Sequence, residues 1–220
     1  MIETLYKVPI YICDDLISEE YLEKLEKIVL KTSEEIPDYG DQWNPDVKKF
    51  SIKHTTWENH PDFQPLIDLM TNEMKKFLIG CGYSESQCED LFIMNIWSGA
   101  YTETDSLSMH IHRTAHWSSS FYIKNKTPTK LKFIHRWNDQ MPFPEDKDNE
   151  WSTNHTFLEC KPNRFVAWQS DITHGVNRII RPEGVDDEYL KVMLSINWKF
   201  KDRYKCFSPS ITSQNGTSET

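Results

Sequence analysis

The 220-residue chain has only 7 glycines, and neither G-x-G-x-x-G nor G-x-x-x-x-G-K-[ST] occurs in it. This excludes the usual loops whose backbone N–H groups hold a dinucleotide or a triphosphate. Basic residues are also in short supply: 25 Lys and Arg face 34 Asp and Glu, for a net charge of −9. Nucleic-acid binding draws on a dense cationic field, so no nucleic-acid partner is expected. No run approaches the roughly 18 apolar residues of a membrane span, and the N-terminus, with Glu3 and Pro9, does not read as a signal peptide. The five cysteines (13, 81, 88, 160 and 206) are scattered without a C-x-x-C. They are expected to be free thiols in a reducing, cytoplasmic setting.

Apolar and aromatic residues, in contrast, are plentiful, at 38 % and 13 % of the chain with eight Trp, enough for a sizeable core. The length suits one domain, expected over residues 1–205, with 1–85 as helical support, 86–205 as a β core and 206–220 as a flexible tail. A short strand is predicted over 5–12. Helical spacing of Leu16, Tyr21, Leu22, Leu25, Ile28 and Val29 predicts a helix over 18–32. Phe63, Leu66, Leu69, Met70, Met74, Phe77 and Leu78 predict a second over 62–80. From residue 90 short β-rich runs succeed one another, over 90–97, 107–112, 118–124, 130–135, 156–160, 164–169, 173–179 and 189–200. Helices followed by about eight strands suggest an antiparallel sandwich or barrel with the helices packed outside it. The polar stretch 138–155 is long for a hairpin and reads as a flap over a substrate mouth, to which Trp117, Trp137 and Trp151 would contribute.

Of eight histidines, three form a pattern. His110 and His112 flank Ile111 in a strand-like run, which turns both imidazoles to one face roughly 7 Å apart at the backbone. That separation suits two ligands of one metal, and His174, after the strand-like run 165–169 and a turn, is the best third ligand. Spacing alone does not separate Zn²⁺ as a hydroxide generator from Fe²⁺ as an oxygen activator. Lys191 adds a second clue, since it shares one strand face with Met193, Ser195 and Asn197 among apolar neighbours. A lysine so placed is costly unless an anion meets it.

With these residues in view the chain resembles the 2-oxoglutarate/Fe(II)-dependent oxygenases, in particular a branch with an H-x-H motif from marine bacteria and their phages. The resemblance is carried by His110-Ile111-His112 with Ser118 and Tyr122 downstream, by Pro162 to Ser170 followed by His174-Gly175-Val176, and by Lys191 to Asn197. It implies a mainly β fold with flanking helices, a double-stranded β-helix (jelly roll, cupin-like) with N-terminal helices packed on one sheet. It implies Fe(II) held by His110, His112 and His174, with 2-oxoglutarate and O2 as co-substrates and hydroxylation of an organic substrate, a peptide side chain or a small metabolite. Lys191, Tyr122, Ser118, Asn95 and Ser195 would line the co-substrate pocket. Three departures stand out. His112 replaces the superfamily's carboxylate ligand, so Asp105 or Asp171 is an alternative ligand. Lys191 replaces an Arg, so Arg178 or Arg181 is an alternative clamp. Arg164 replaces a turn glycine. A zinc hydrolase or hydratase, a three-His dioxygenase without 2-oxoglutarate and a non-catalytic metal-stapled jelly roll are the rival readings. Homodimerisation is left open.

Overall fold

The computed structural model describes residues 8–35, 57–134 and 155–201. Among these residues, nine antiparallel strands form two sheets. The larger has the order β1-β7-β4-β9-β2 and the smaller β3-β8-β5-β6. The strands are β1 (Tyr11–Cys13), β2 (Leu91–Tyr101), β3 (Leu107–His110), β4 (Trp117–Asn125), β5 (Lys130–Ile134), β6 (His155–Glu159), β7 (Arg164–Gln169), β8 (Thr173–Val176) and β9 (Lys191–Phe200). The mainly β jelly roll expected from the sequence is the fold observed. Each β-rich run beyond residue 90 finds its strand. The predicted run 5–12 overlaps β1 only at its end, and most of the proposed flap and the whole tail lie outside the described residues.

The two predicted helices are α1 (Glu19–Glu35) and α2 (Gln64–Gly80). Glu19 and Glu20 sit in the first turn of α1, where the helix dipole favours negative charge. Before α2, a single 3-10 turn over Pro61–Phe63 is capped by His60, whose ring accepts the Asp62 N–H. A short helix, α3 (Glu85–Cys88), carries a capping box between Ser84 and Gln87, which periodicity over so few residues does not reveal. Among the described residues no helix is long and apolar enough to cross a membrane.

Strand alternation divides the large sheet into two faces. On one, Ile96, Phe121, Phe165, Leu194, Ile196 and Trp198 join Leu25, Val29, Leu66, Met70, Met74 and Phe77 of α1 and α2 in a single buried cluster. On the other, Trp97, Tyr101, Tyr122, Val166, Trp168 and Met193 meet Leu131, Phe133 and Val176 of the small sheet. A bulge in β2 sets which residues of that strand face inward. Ile93 pairs with Trp198 but Asn95 pairs with Asn197, so one extra residue is absorbed and the strand changes phase. Asn95 is thereby turned onto the interior face, away from the side that Ile93 shares with the helices.

A candidate metal centre and a buried cation in the sandwich

His110 ends β3 and pairs directly with His174 of β8. His112 lies just past the strand rather than within it. Its N–H leaves the ladder and donates to the Ser170 carbonyl at 2.9 Å, as the chain turns toward β4. His174 also sits in a strand of the small sheet, one turn beyond the β7 run that precedes it. The three rings converge. The Nε2 atoms of His110 and His112 are 3.2 Å apart, as are those of His112 and His174.

Two backbone carbonyls fix the rings. His110 Nδ1 donates to Ser108 O and His174 Nδ1 to Ile172 O, each at 2.8 Å and each two residues back. A carbonyl only accepts, so both Nδ1 atoms carry protons and both Nε2 lone pairs point at the common centre. Burial pushes the His112 pKa down to about 4 and that of His174 down to about 3, with the neighbouring His110 adding to each shift. Burial lowers His110 as well. The imidazoles are therefore neutral at pH 7, with the lone pairs of His110 and His174 turned toward His112 Nε2, an arrangement that suits a bound cation. For imidazole–metal bonds of about 2.1 Å, adjacent ligand nitrogens are separated by about 3.0 Å at right angles and about 3.4 Å at tetrahedral angles. The observed 3.2 Å fits within that span. No carboxylate joins this cluster among the described residues. Of the alternative ligands, Asp105 is buried and accepts from the N–H and hydroxyl of Thr102, and Asp171 stays outside the cluster.

The other predicted residues line the same interior face of the large sheet. Ser118, Asn197 and Asn95 form a hydrogen-bonded row across β4, β9 and β2. Ser118 Oγ donates to Asn197 Oδ1 at 3.1 Å, and Asn197 Nδ2 donates to Asn95 Oδ1 at 2.8 Å. Ser170 Oγ lies 2.9 Å from Ser118 Oγ. The row thus reaches the residue whose carbonyl holds His112. Ser195 shares that face of β9, opposite Ser120 and Trp97. The role of Ser170 was missed from sequence, because nothing in its spacing announces that the turn after β7 folds back onto β4.

Lys191 starts β9 at the far end and is fully buried. Its Nζ lies 5.2 Å from the Tyr122 ring centroid, 5.5 Å from that of Tyr101, and 3.4 Å from Cys160 Sγ. No carboxylate forms an ion pair with it among the described residues, and burial pushes its pKa down. The Tyr122 hydroxyl is buried on this face beside Cys160, and the Trp168 indole N–H, also buried there, makes no hydrogen bond among the described residues. A lysine, a phenol and an indole are thus gathered in one interior. The alternative clamps are otherwise engaged. Arg181 binds Glu103 and the carbonyls of Val185 and Asp187, and Arg178 is exposed. Arg164, where a turn glycine was expected, makes a forked ion pair with Asp14, and the positive φ of that turn (61°) falls on Asn163 instead.

A two-sheet jelly roll with three histidines converging between its sheets is the class of structure that emerges. Residues 95–183, which include all three histidines, match the model of a family described as "Putative 2OG-Fe(II) oxygenase". Over those residues the matching model is of the kind that the sequence resemblance names. No curated protein matches the chain. Among solved structures, a prolyl-4-hydroxylase from Pseudomonas putida is similar at a TM-score of 0.59 and 12 % identity, over 88 % of this chain and 94 % of that one. HygX from Streptomyces hygroscopicus, solved with nickel and 2-oxoglutarate bound, is similar at 0.58 and 8 % identity, over 89 % and 84 %. AviO1 from Streptomyces viridochromogenes Tue57 gives 0.56 and 12 %, over 90 % and 92 %. At these identities the likeness is one of fold.

Proposed function

We propose that this protein is a 2-oxoglutarate- and Fe(II)-dependent oxygenase that hydroxylates an organic substrate, a peptide side chain or a small metabolite. The observation that carries the reading is the pairing of two incomplete groups on one interior. Three neutral imidazole nitrogens meet at one end, and a fully buried lysine without an acidic partner lies at the other. A dianion with a chelating keto-acid head and a carboxylate tail answers both. The family match over the histidine-bearing strands and the 2-oxoglutarate bound by the similarly folded HygX support it.

His110, His112 and His174 would hold the iron, with all three ligands neutral. The metal then keeps its full charge, and that charge favours a dianionic co-substrate. When bound, iron with 2-oxoglutarate and O2 supplies the oxidation of a C–H bond, coupled to loss of CO2 and formation of succinate. The chain's own residues bind, orient and exclude water. Lys191 meets the distal carboxylate, with the Tyr122 hydroxyl as a second donor. The Ser118–Asn197–Asn95 row offers donors along the length of the guest, and Ser170 holds His112 in place through its carbonyl. Trp168 and Phe133 pack against His174 and keep that side dry. A zinc hydrolase would need the three histidines and a water, but would have no use for a buried cation without a partner.

The test is metal analysis of protein prepared without oxygen, followed by titration with 2-oxoglutarate under the same conditions. We expect iron to be retained, a metal-to-ligand absorption band to grow with 2-oxoglutarate, and His110→Ala, His112→Ala and His174→Ala each to lose iron while remaining folded. Full iron and activity in His112→Ala would remove it from the ligand set. Absence of any 2-oxoglutarate binding to the iron-loaded wild type would overturn the proposal.

A further inference from the structure

Cys160 and Lys191 form a contact that the proposed reaction does not use. Cys160 follows directly on β6 and is 1 % exposed; Lys191 is fully buried. The lysine Nζ donates to the thiol sulfur at 3.4 Å, and that is its one hydrogen bond among the described residues. Asn125 Nδ2 donates to the Cys160 carbonyl at 3.0 Å, so the backbone that carries the thiol is tied to β4. The Tyr122 side chain lies on the same interior face, its hydroxyl beside Cys160 and its ring 5.2 Å from Nζ. A nucleophilic sulfur and an amine are thus held together, sealed from water and from competing thiols.

We propose that Cys160 and Lys191 are an oxidative cross-linking site, joined through one oxygen atom as Sγ–O–Nζ with dioxygen as the oxidant. The thiol S–H bond and one amine N–H bond break while S–O and O–N bonds form. The O–O bond is cleaved, and the second oxygen leaves as water with the two hydrogens. Sulfur and nitrogen are each oxidised by two electrons, and these four electrons reduce O2 completely. Burial favours the neutral amine, the form with a lone pair to react. A single bridging oxygen fills the present gap with less movement than a direct S–N bond, which would pull the two strands together. Dioxygen is small and apolar enough to reach a buried pair that bulky oxidants do not reach. Excess dithiol reverses the link, returning thiol and amine and releasing the oxygen as water.

The cross-link itself does not depend on the oxygenase reading. Its consequence does: a bridged Lys191 has lost the charge that would meet the 2-oxoglutarate tail, so cross-linked protein would bind the co-substrate poorly. Conversely, an occupied pocket would draw Lys191 away from Cys160 and protect both. The experiment compares metal-free full-length protein kept in air with protein kept anaerobic, digested and examined by mass spectrometry. We expect a peptide pair joining residues 160 and 191, heavier than its two parts by one oxygen less two hydrogens, formed only in air and released by dithiothreitol. Cys160→Ser and Lys191→Met, checked for folding by circular dichroism, should each abolish it. Recovery of an unlinked Cys160 and Lys191 from aerated protein, or of Cys160 carried only to the sulfinic state, overturns the proposal. The link can form in a protein that never binds 2-oxoglutarate, so the two proposals fail separately.

Discussion

On the face of the large sheet that meets the helices, Phe121, Phe165, Leu194, Ile196 and Trp198 interlock with α1 and α2, and the Trp198 indole donates to Ser119 Oγ at 2.8 Å. Among the described residues, Trp57 Nε1 is the buried side-chain atom left without a partner there. In the interior between the two sheets lie a buried lysine without a carboxylate partner among the described residues, the buried Tyr122 phenol and Trp168 indole, and three converging imidazoles. The helix-backed face is packed almost wholly with apolar side chains, whereas the interior gathers polar ones, with His110 and His112 only partly buried. The helix-backed face stabilises the fold, and the interior holds polar groups that the proposed co-substrate would meet. A buried polar group without a partner costs about 1–3 kcal/mol. The interior is thus a standing cost that the other face offsets.

Four substitutions or conditions break or sharpen this contrast. The largest effect should come from the helix-backed face. Phe121→Ala is expected to cost about 3–5 kcal/mol of stability through the cavity it leaves, read as a lower denaturant midpoint, without removing any metal ligand. A mild Phe121→Ala beside a costly Val166→Ala, on the interior face, would reverse the assignment.

Acidification should act on the interior. The folded pKa values of His112 and His174 are depressed to about 4 and about 3 from an ordinary 6.5. The unfolded chain therefore takes up protons first as the pH falls, and stability present above pH 6.5 is lost on the way down to those values. At about 1.4 kcal/mol per unit, metal-free protein should lose a few kcal/mol between pH 6.5 and 4. A flat melting temperature over that range in chelator would show that the three rings are not neutral and buried together.

Lys191→Met should move stability in the opposite direction. Exchanging a buried, unmatched cation for an apolar side chain of similar length is expected to stabilise the free protein by about 1–4 kcal/mol. The same variant should bind 2-oxoglutarate about 30-fold more weakly, which corresponds to about 2 kcal/mol at 1.4 kcal/mol per tenfold. Calorimetry and the anaerobic titration read the two halves separately. A variant both less stable and unimpaired in binding would mean that Lys191 belongs to the packing rather than to the guest.

The smallest effect tests how closely the site's two strands must approach. A Cβ on Gly175 would meet the Leu107 carbonyl oxygen at 2.7 Å and Met109 Sδ at 2.8 Å. The sulfur can swing away, but the backbone oxygen cannot, so Gly175→Ala should push β3 off β8 and part His110 from His174. We expect about 1–3 kcal/mol of overpacking and a clear fall in iron content. Wild-type iron content would show that β3 has room to give.

Much of this was legible in the residues themselves. Short β-rich runs between polar segments named the strands beyond residue 90, and the spacing of His110, His112 and His174 with the isolated Lys191 marked both ends of the interior. The strand reading of His112 arrived at the right face by the wrong route, since the residue lies past β3 and is held by Ser170. What stayed hidden depends on register between distant strands. The bulge that turns Asn95 inward breaks the alternation that a sequence reader relies on. Neither the pairing of Tyr101 with Lys191 nor the meeting of Cys160 with that lysine has any local signal. The helix α3 is too short for periodicity and is instead declared by its capping pair, Ser84 and Gln87.

β9 runs between β4 and β2 and shows Lys191, Met193, Ser195 and Asn197 to the interior while Val192, Leu194, Ile196 and Trp198 face the helices. Its side chains alternate, so a slip of one residue would exchange the two sets, driving a cation and an amide into the helical core and emptying the guest chamber of its chemistry. Insertions and deletions in this strand are therefore forbidden twice over, once by folding and once by function. Evolution can exchange residues along it only in place. A lineage of such proteins would be free to vary loops and substrate, yet would carry this ten-residue strand forward at constant length.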